Sequence, residues 1–365
     1  MTPMTFVLLL AGLAMLLAGA ELLVRGASRM ALSLGIAPLV IGLTVVAYGT
    51  SAPELAIGIG ATLDGQPDIA LGNVIGSNIA NVLLILGLSA LITPLVVARQ
   101  LVWLDVPIMV GVSLLVLVLA LDGHLDRWVG VALILGGVAY TALQVYMGSR
   151  DSAADTTGVP GANAAPSPLW RNALLVVAGL VMLVLGARWL VDSAVTVAEA
   201  FGISQLVIGL TVVAIGTSLP ELATSLMAAL RGEREMAVGN IIGSNIFNLL
   251  LVLGAAVAMS PGGIAVSAAA VNFDLPVMTA VAVACLPIFF TGHCIARWEG
   301  ALFMGYYVAY TAFLLLDASG HDALPAFSQV MMLFVVPLTV VTLLVVTVRA
   351  VRARRALAKA RQPGP

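Results

Sequence analysis

Glu54 and Glu221 each sit inside a long apolar stretch, and each follows a threonine by four residues and a serine by three: Thr50 and Ser51, then Thr217 and Ser218. On a helix those spacings put hydroxyls and carboxylate on one face. Downstream, Ser77 with Asn81 and Ser244 with Asn248 repeat the four-residue spacing. Every one of these side chains offers oxygen, and none offers sulfur or imidazole. Such a set suits hard cations, Ca²⁺, Mg²⁺ or Na⁺, rather than zinc or copper. Two bidentate glutamates would supply four oxygens, and freed backbone carbonyls would complete the six to eight that Ca²⁺ takes; Mg²⁺ keeps its waters and demands a strict octahedron. Two carboxylates also balance one divalent charge.

Pro53 and Pro220 supply the freed carbonyls. Proline has no N–H for the carbonyl four residues back, so a helix bends or breaks there. The residues four back are Gly49 and Gly216, which are expected to ease the distortion. Broken helices at membrane depth expose carbonyls where these line a cavity or hold an ion. A carboxylate there costs roughly 2.5 kcal/mol or more and is by default a functional candidate.

These residues belong to a repeat. Residues 42–54 read GLTVVAYGTSAPE and 209–221 read GLTVVAIGTSLPE, matching at eleven of 13 positions. The pattern AxGNxIGSNIxNxLLxLG of 70–87 returns at 237–254. Weaker matches pair GAELLVRGA (19–27) with GARWLVDSA (186–194), LDVPIM (104–109) with FDLPVM (273–278), and GHLDRW (123–128) with GHCIARW (292–298). The first of these makes residues 1–20 part of the repeated fold rather than a leader, and that stretch also lacks a basic n-region.

The elements that must position these residues lie in a bilayer. The chain is 61% hydrophobic and 9% charged, against roughly 25% charged in soluble domains. Apolar runs predict membrane helices near 4–26, 36–62, 68–93, 102–121, 126–147, 169–193, 203–230, 234–259, 270–291, 298–317 and 325–350. The expected fold is all-α and polytopic: a first five-helix repeat over 1–147, a linker over 148–168, a second repeat over 169–317, and an extra helix with a basic tail over 318–365. Five crossings are an odd number, so the second copy enters from the opposite face. That inverted plan is the architecture of secondary transporters, with the substrate site between the halves at the midplane. With the N-terminus outside, fourteen of the 16 basic residues fall inside and only Arg127 and Arg188 fall outside, as the positive-inside rule requires.

Other residues read as structural. Asn73, Asn78, Asn240 and Asn245 are expected to hydrogen-bond between helices, and Gly72, Gly76, Gly239 and Gly243 to let helices approach. Glu21 with Arg25 and Arg188 with Asp192 read as ion pairs, and Asp105 and Asp274, each two residues before a proline, as N-caps. Cys285 and Cys294 fit no metal spacing. The tail beyond Arg349 reads as an anchor at anionic membrane lipid, and nothing points to nucleic acid.

The doubled motifs, GTSAPE with GNVIGSNIAN and GTSLPE with GNIIGSNIFN, resemble the alpha repeats of sodium/calcium exchangers of the calcium/cation antiporter superfamily, bacterial type. The resemblance covers the first ten helices. It implies that Glu54, Glu221, Thr50 and Thr217 ligate Ca²⁺. It also implies Na⁺ sites formed by Ser51, Ser77, Ser218, Ser244 and the carbonyls of Ala47 and Ala214, with Asn81 and Asn248 completing the centre. Many relatives carry Asp where this chain has Asn248, and losing that charge argues against a K⁺ requirement. The expectation is an electrogenic, K⁺-independent Na⁺/Ca²⁺ antiporter in an inner membrane, C-terminus cytoplasmic, with no cofactor beyond its transported ions. An H⁺-driven cation antiporter remains the alternative. An intramembrane enzyme would need an acid/base constellation, and His124, His293 and His321 all lie near predicted helix ends, far in sequence from both glutamates.

Overall fold

The computed structural model describes residues 3–154, 168–202, 208, 212 and 214–360. In lipid a backbone must satisfy its own hydrogen bonds, so an apolar chain of this composition winds into helices. The first half holds α1 (Pro3–Leu34), α2 (Pro38–Thr50), α3 (Ala52–Leu63), α4 (Pro67–Ile92), α5 (Leu101–Leu119) and α6 (Arg127–Ala154). The second holds α7 (Leu169–Ala200), α8 (Leu219–Leu230), α9 (Arg234–Met259), α10 (Ala270–Phe290) and α11 (Arg297–Ala318), and α12 (Leu324–Val348) follows. Among the described residues, nine helices are long and apolar enough to cross a membrane, and α2 with α3 forms one bent pair that meets the same criteria of length and composition together. Most of the segment predicted as the front of the helix over 203–230 lies outside the described residues.

Three helix ends run past the sequence reading. Helices α1 and α7 run on to Leu34 and Ala200, through short stretches that are mostly small and apolar and carry one charged residue each, Arg29 and Glu199. Helix α6 continues to Ala154, so the predicted linker begins as helix; residues 155–167 lie outside the described residues.

The site-bearing helices are the most enclosed. Buried residues make up 72% of the most apolar window of α4 and 83% of that of α9, against 6% for α11 and none for α12. The halves interlock rather than sit side by side. Helix α6 crosses α9 where a Cβ on Gly130 would lie 2.7 Å from the Gly254 carbonyl, and α11 crosses α4 where one on Gly300 would lie 2.7 Å from the Gly87 carbonyl. The fifth helix of each repeat thus leans on the third helix of the other. Helices α1 and α7 pack antiparallel along their length, Gly12 against Gly186 and Gly19 against Gly179.

The structure adds four short strands that apolar periodicity did not show. β1 (Leu95–Val96) pairs antiparallel with β4 (Cys294–Ile295), and β2 (His124–Leu125) with β3 (Ile264–Ala265). Each pair joins one repeat to the other, tying them at the loops.

The N-cap reading of Asp105 and Asp274 is corrected. Neither makes a capping bond, and both have helical dihedrals because the helix starts a turn earlier. Asp105, buried, accepts from the Tyr140 hydroxyl at 3.0 Å and the Gln144 amide at 2.5 Å on α6. Asp274 accepts from the Tyr310 hydroxyl on α11 at 3.2 Å. The two aspartates fasten the fourth helix of each repeat to the fifth.

The ion pairs at Glu21 and Arg188 are both present, but they are not equivalent. Glu21 binds Arg25 and also Arg231, in the turn between α8 and α9. Ser28 on α1 hydrogen-bonds Glu233 in the same turn at 2.5 Å. Among the described residues, Arg188 pairs with Asp192, at 3.9 Å and well exposed. Helix α1 accordingly lies along α8, whereas α7 makes no comparable packing with α3. The α3 positions Ala52, Ala56 and Ile57 are exposed, while their counterparts Ala223 and Thr224 are buried and Leu219 half-buried. Among the described residues, α8 is therefore the more covered of the two half-helices that follow the breaks and α3 the less.

Candidate cation site

The axes of α2 and α3 bend by 42° at Ser51. Ser51 has φ −86° and ψ 8°, and Ser218 has φ −89° and ψ 7°. Both repeats break at the same residue for the same reason: the following proline leaves the Gly49 or Gly216 carbonyl without its N–H. The glycines themselves have another purpose than the one expected. Neither has a positive φ. A Cβ at Gly49 would come within 2.6 Å of Leu180, and one at Gly216 within 2.5 Å of Val191, both on α7. They admit a neighbouring helix.

The break brings the polar side chains inward. Thr50, Ser51, Glu54, Ser77, Asn81, Ser218, Glu221, Ser244 and Asn248 are all buried. Thr217 is half-buried, and Ala214 opens the short helical turn Ala214–Gly216. The Ser51 hydroxyl donates to Glu221 Oε1 at 2.8 Å, so the broken helix of one repeat holds the carboxylate of the other. Thr50 shares its hydroxyl between the Ala47 carbonyl and Asn240 Oδ1, each at 3.3 Å. The Ala47 carbonyl also accepts the Ser51 N–H at 3.0 Å.

Several of these buried oxygens have no hydrogen-bond partner. Among the described residues, both oxygens of Glu54, Oε2 of Glu221, the hydroxyls of Ser77, Ser218 and Ser244, and the Oδ1 atoms of Asn81 and Asn248 stand unpaired. Burying a polar group unpaired costs about 1–3 kcal/mol, more for a charged one. An array of unpaired acceptors around two carboxylates is what a dehydrated cation would satisfy.

The outer asparagines do bond between helices, as expected. Asn78 donates to the Asn245 carbonyl and Asn245 to the Asn78 carbonyl, each at 3.3 Å. Asn73 reaches the Glu54 carbonyl at 3.5 Å. Asn240 bonds Ser225 at 2.8 Å, a partner that sequence reasoning missed, although its place one turn past Glu221 on the same helix was a signal. The glycine stripe divides. Cβ atoms at Gly239 and Gly243 would meet α2 backbone at 3.0 and 2.8 Å, whereas among the described residues nothing lies within 4 Å of one at Gly72 or Gly76. The mirror-image neighbours of those two, residues 206 and 210, lie outside the described residues.

The profile of the sodium/calcium exchanger protein family matches residues 4–146 and 171–316, both repeats. The chain belongs to that family. It is therefore a cation/Ca²⁺ antiporter and not an enzyme, built on two inverted repeats. Within the family it is 35% identical over 349 residues to the sodium/calcium exchanger MaX1 of Methanosarcina acetivorans, covering 86% of this chain and 99% of that one. It is 40% identical over 210 residues to the inner membrane protein YrbG of Escherichia coli, covering 56% of this chain and 64% of that one. Among solved structures, the sodium-calcium exchanger NCX_Mj soaked with zero Na⁺ and Ca²⁺ superposes with a TM-score of 0.74 at 32% identity, over 86% of this chain and 100% of that one.

Proposed function

We propose that this exchanger moves Na⁺ inward and Ca²⁺ outward across an inner membrane, N-terminus outside and C-terminus cytoplasmic. Glu54 and Glu221 hold Ca²⁺ with Thr50 and Thr217. Na⁺ takes flanking positions on Ser51, Ser77, Ser218, Ser244, Asn81, Asn248 and the carbonyls of Ala47 and Ala214. The observation that carries the reading is the group of buried acceptors, the carboxylates of Glu54 and Glu221 among them, left unpaired among the described residues. Neutral hydroxyls, amides and carbonyls have no use for a proton and suit Na⁺, which favours Na⁺ over H⁺ as the driving ion. Asn248, uncharged, favours independence from K⁺.

Two carboxylates neutralise one Ca²⁺, and three Na⁺ on the return stroke carry one net positive charge per cycle. That charge is worth roughly 2.3 kcal/mol per 100 mV, a ~50-fold change in the Ca²⁺ gradient the protein can hold at 1.4 kcal/mol per tenfold. The test uses proteoliposomes with labelled Ca²⁺, imposed Na⁺ or H⁺ gradients, and a potential clamped by valinomycin and K⁺. Flux should follow the Na⁺ gradient and the voltage. Flux that follows only the H⁺ gradient would overturn the coupling, and voltage-independent Na⁺-driven flux would overturn the stoichiometry.

A further inference from the structure

In Asn81 and Asn248 it is the Oδ1 atoms, not the Nδ2 atoms, that are left without a partner among the described residues, and the reason lies outside the two residues. Exchanging an amide's oxygen and nitrogen hardly alters its shape, so the orientation must come from its partners. The chain of partners starts at two backbone carbonyls, which only accept. The Asn245 carbonyl takes a proton from Asn78 Nδ2, and the Asn78 carbonyl takes one from Asn245 Nδ2, both at 3.3 Å. The second amide protons point at thioether sulfurs, Asn78 to Met278 at 3.8 Å and Asn245 to Met109 at 3.6 Å. With both nitrogens committed, Asn78 and Asn245 offer only oxygen to the next residue. Asn81 Nδ2 donates to Asn245 Oδ1 at 2.9 Å and Asn248 Nδ2 to Asn78 Oδ1 at 3.2 Å. The remaining Oδ1 atoms of Asn81 and Asn248 are buried and unpaired.

We infer that Asn78 and Asn245, backed by Met278 and Met109, are positioning residues that set the polarity of the site, forcing the inner amides to meet a cation with oxygen. The inference rests on the Na⁺/Ca²⁺ reading above. It gives the repeated methionines of LDVPIM and FDLPVM a purpose, since each closes the last open donor of the facing asparagine. An inner amide released from this chain is free to flip and present –NH₂ to the ion. Partners one shell out from a ligand alter metal affinity by about 10–100-fold when removed.

The test is a double-mutant cycle in proteoliposomes, reading the apparent Na⁺ affinity and the maximal Ca²⁺ flux. Asn245→Leu should weaken the apparent Na⁺ affinity by ~10-fold or more and largely spare the maximal flux. In an Asn81→Ala background, where no amide is left to orient, the same substitution should change the affinity less than ~2-fold, within the additivity error of independent sites. Asn78→Leu with Asn248→Ala should repeat the pattern. Asn245→Ala replaces Asn245→Leu in the same cycle if the latter does not insert. Equal losses of affinity in both backgrounds, or unchanged affinity with reduced flux, would overturn the inference and leave a packing role. Absence of Na⁺-driven Ca²⁺ flux in the wild type would instead overturn the reading on which it rests.

Discussion

Replacing Glu54 by Gln should make the empty protein more stable while removing its response to Ca²⁺. Among the described residues, three of the four carboxylate oxygens of Glu54 and Glu221 are buried without a partner. Gln keeps the shape of Glu54 and removes its charge. A charged residue at the centre of a membrane helix costs roughly 2.5–3.5 kcal/mol on insertion scales, so the empty Glu54→Gln protein should gain on the order of 2 kcal/mol. Ca²⁺ acts in the opposite sense: a ligand at 100 times its Kd adds about 2.7 kcal/mol to the folded state. Thermal unfolding in Na⁺-free detergent or nanodiscs, with and without saturating Ca²⁺, reads both terms. The wild type should melt lower when empty and rise with Ca²⁺; the variant should start higher and stay there, with labelled-Ca²⁺ flux in vesicles near background. A variant that melts lower than wild type when empty, yet keeps the Ca²⁺ shift and the flux, would show that Glu54 serves the packing and does not hold the ion.

Other outcomes follow from particular contacts. Wild-type flux should be indifferent to K⁺, and Asn248→Asp should introduce sensitivity to K⁺ or pH, since it sets an acceptor against Asn78 Oδ1 in place of a donor; strict K⁺ dependence of the wild type would contradict the argument from Asn248. Gly179→Val should cut folded yield sharply, because a Cβ there would stand 2.6 Å from the Leu23 backbone nitrogen and overpacking of this kind costs about 1–3 kcal/mol or more; size-exclusion profiles and melting temperature check it. Glu21→Gln or Arg231→Gln should alter the flux by no more than ~5-fold, as a partly exposed ion pair is worth about 0.2–1 kcal/mol. The charge swap Glu21→Arg with Arg231→Glu should return it toward wild type, and no recovery would mean that the pair does not couple α1 to the α8–α9 turn.

Composition alone sets the solvent of this protein as lipid, and two-fold repetition with an odd helix count sets its inverted plan. Both are properties of the chain read locally, as are the helix breaks, because a missing N–H at Pro53 or Pro220 acts on a carbonyl only four residues away. That Glu54, Thr50, Ser51, Ser77 and their counterparts offer oxygen was legible from residue type alone, but the i, i+4 spacing of Thr50 and Glu54 does not put them on one helical face, because the helix breaks between them. Helix ends were less legible at α1, α6 and α7, where hydropathy fades but the backbone hydrogen-bond ladder does not.

What crosses between the repeats only the tertiary structure decided. Ser51 finds Glu221 across 170 positions, and the bonds that orient the amides of Asn81 and Asn248 span 164 and 170. No periodicity in the chain encodes a contact at that separation, because a hydrogen bond depends on donor and acceptor meeting within about 3 Å after every intervening helix is packed. The same holds for the asymmetry between the faces. Glu21 and Arg188 occupy matching places in two nearly matching repeats, yet one is bound to the far turn and the other is not. Nearly identical motifs thus occupy unlike surroundings, set by how α1 and α7 lie against the rest.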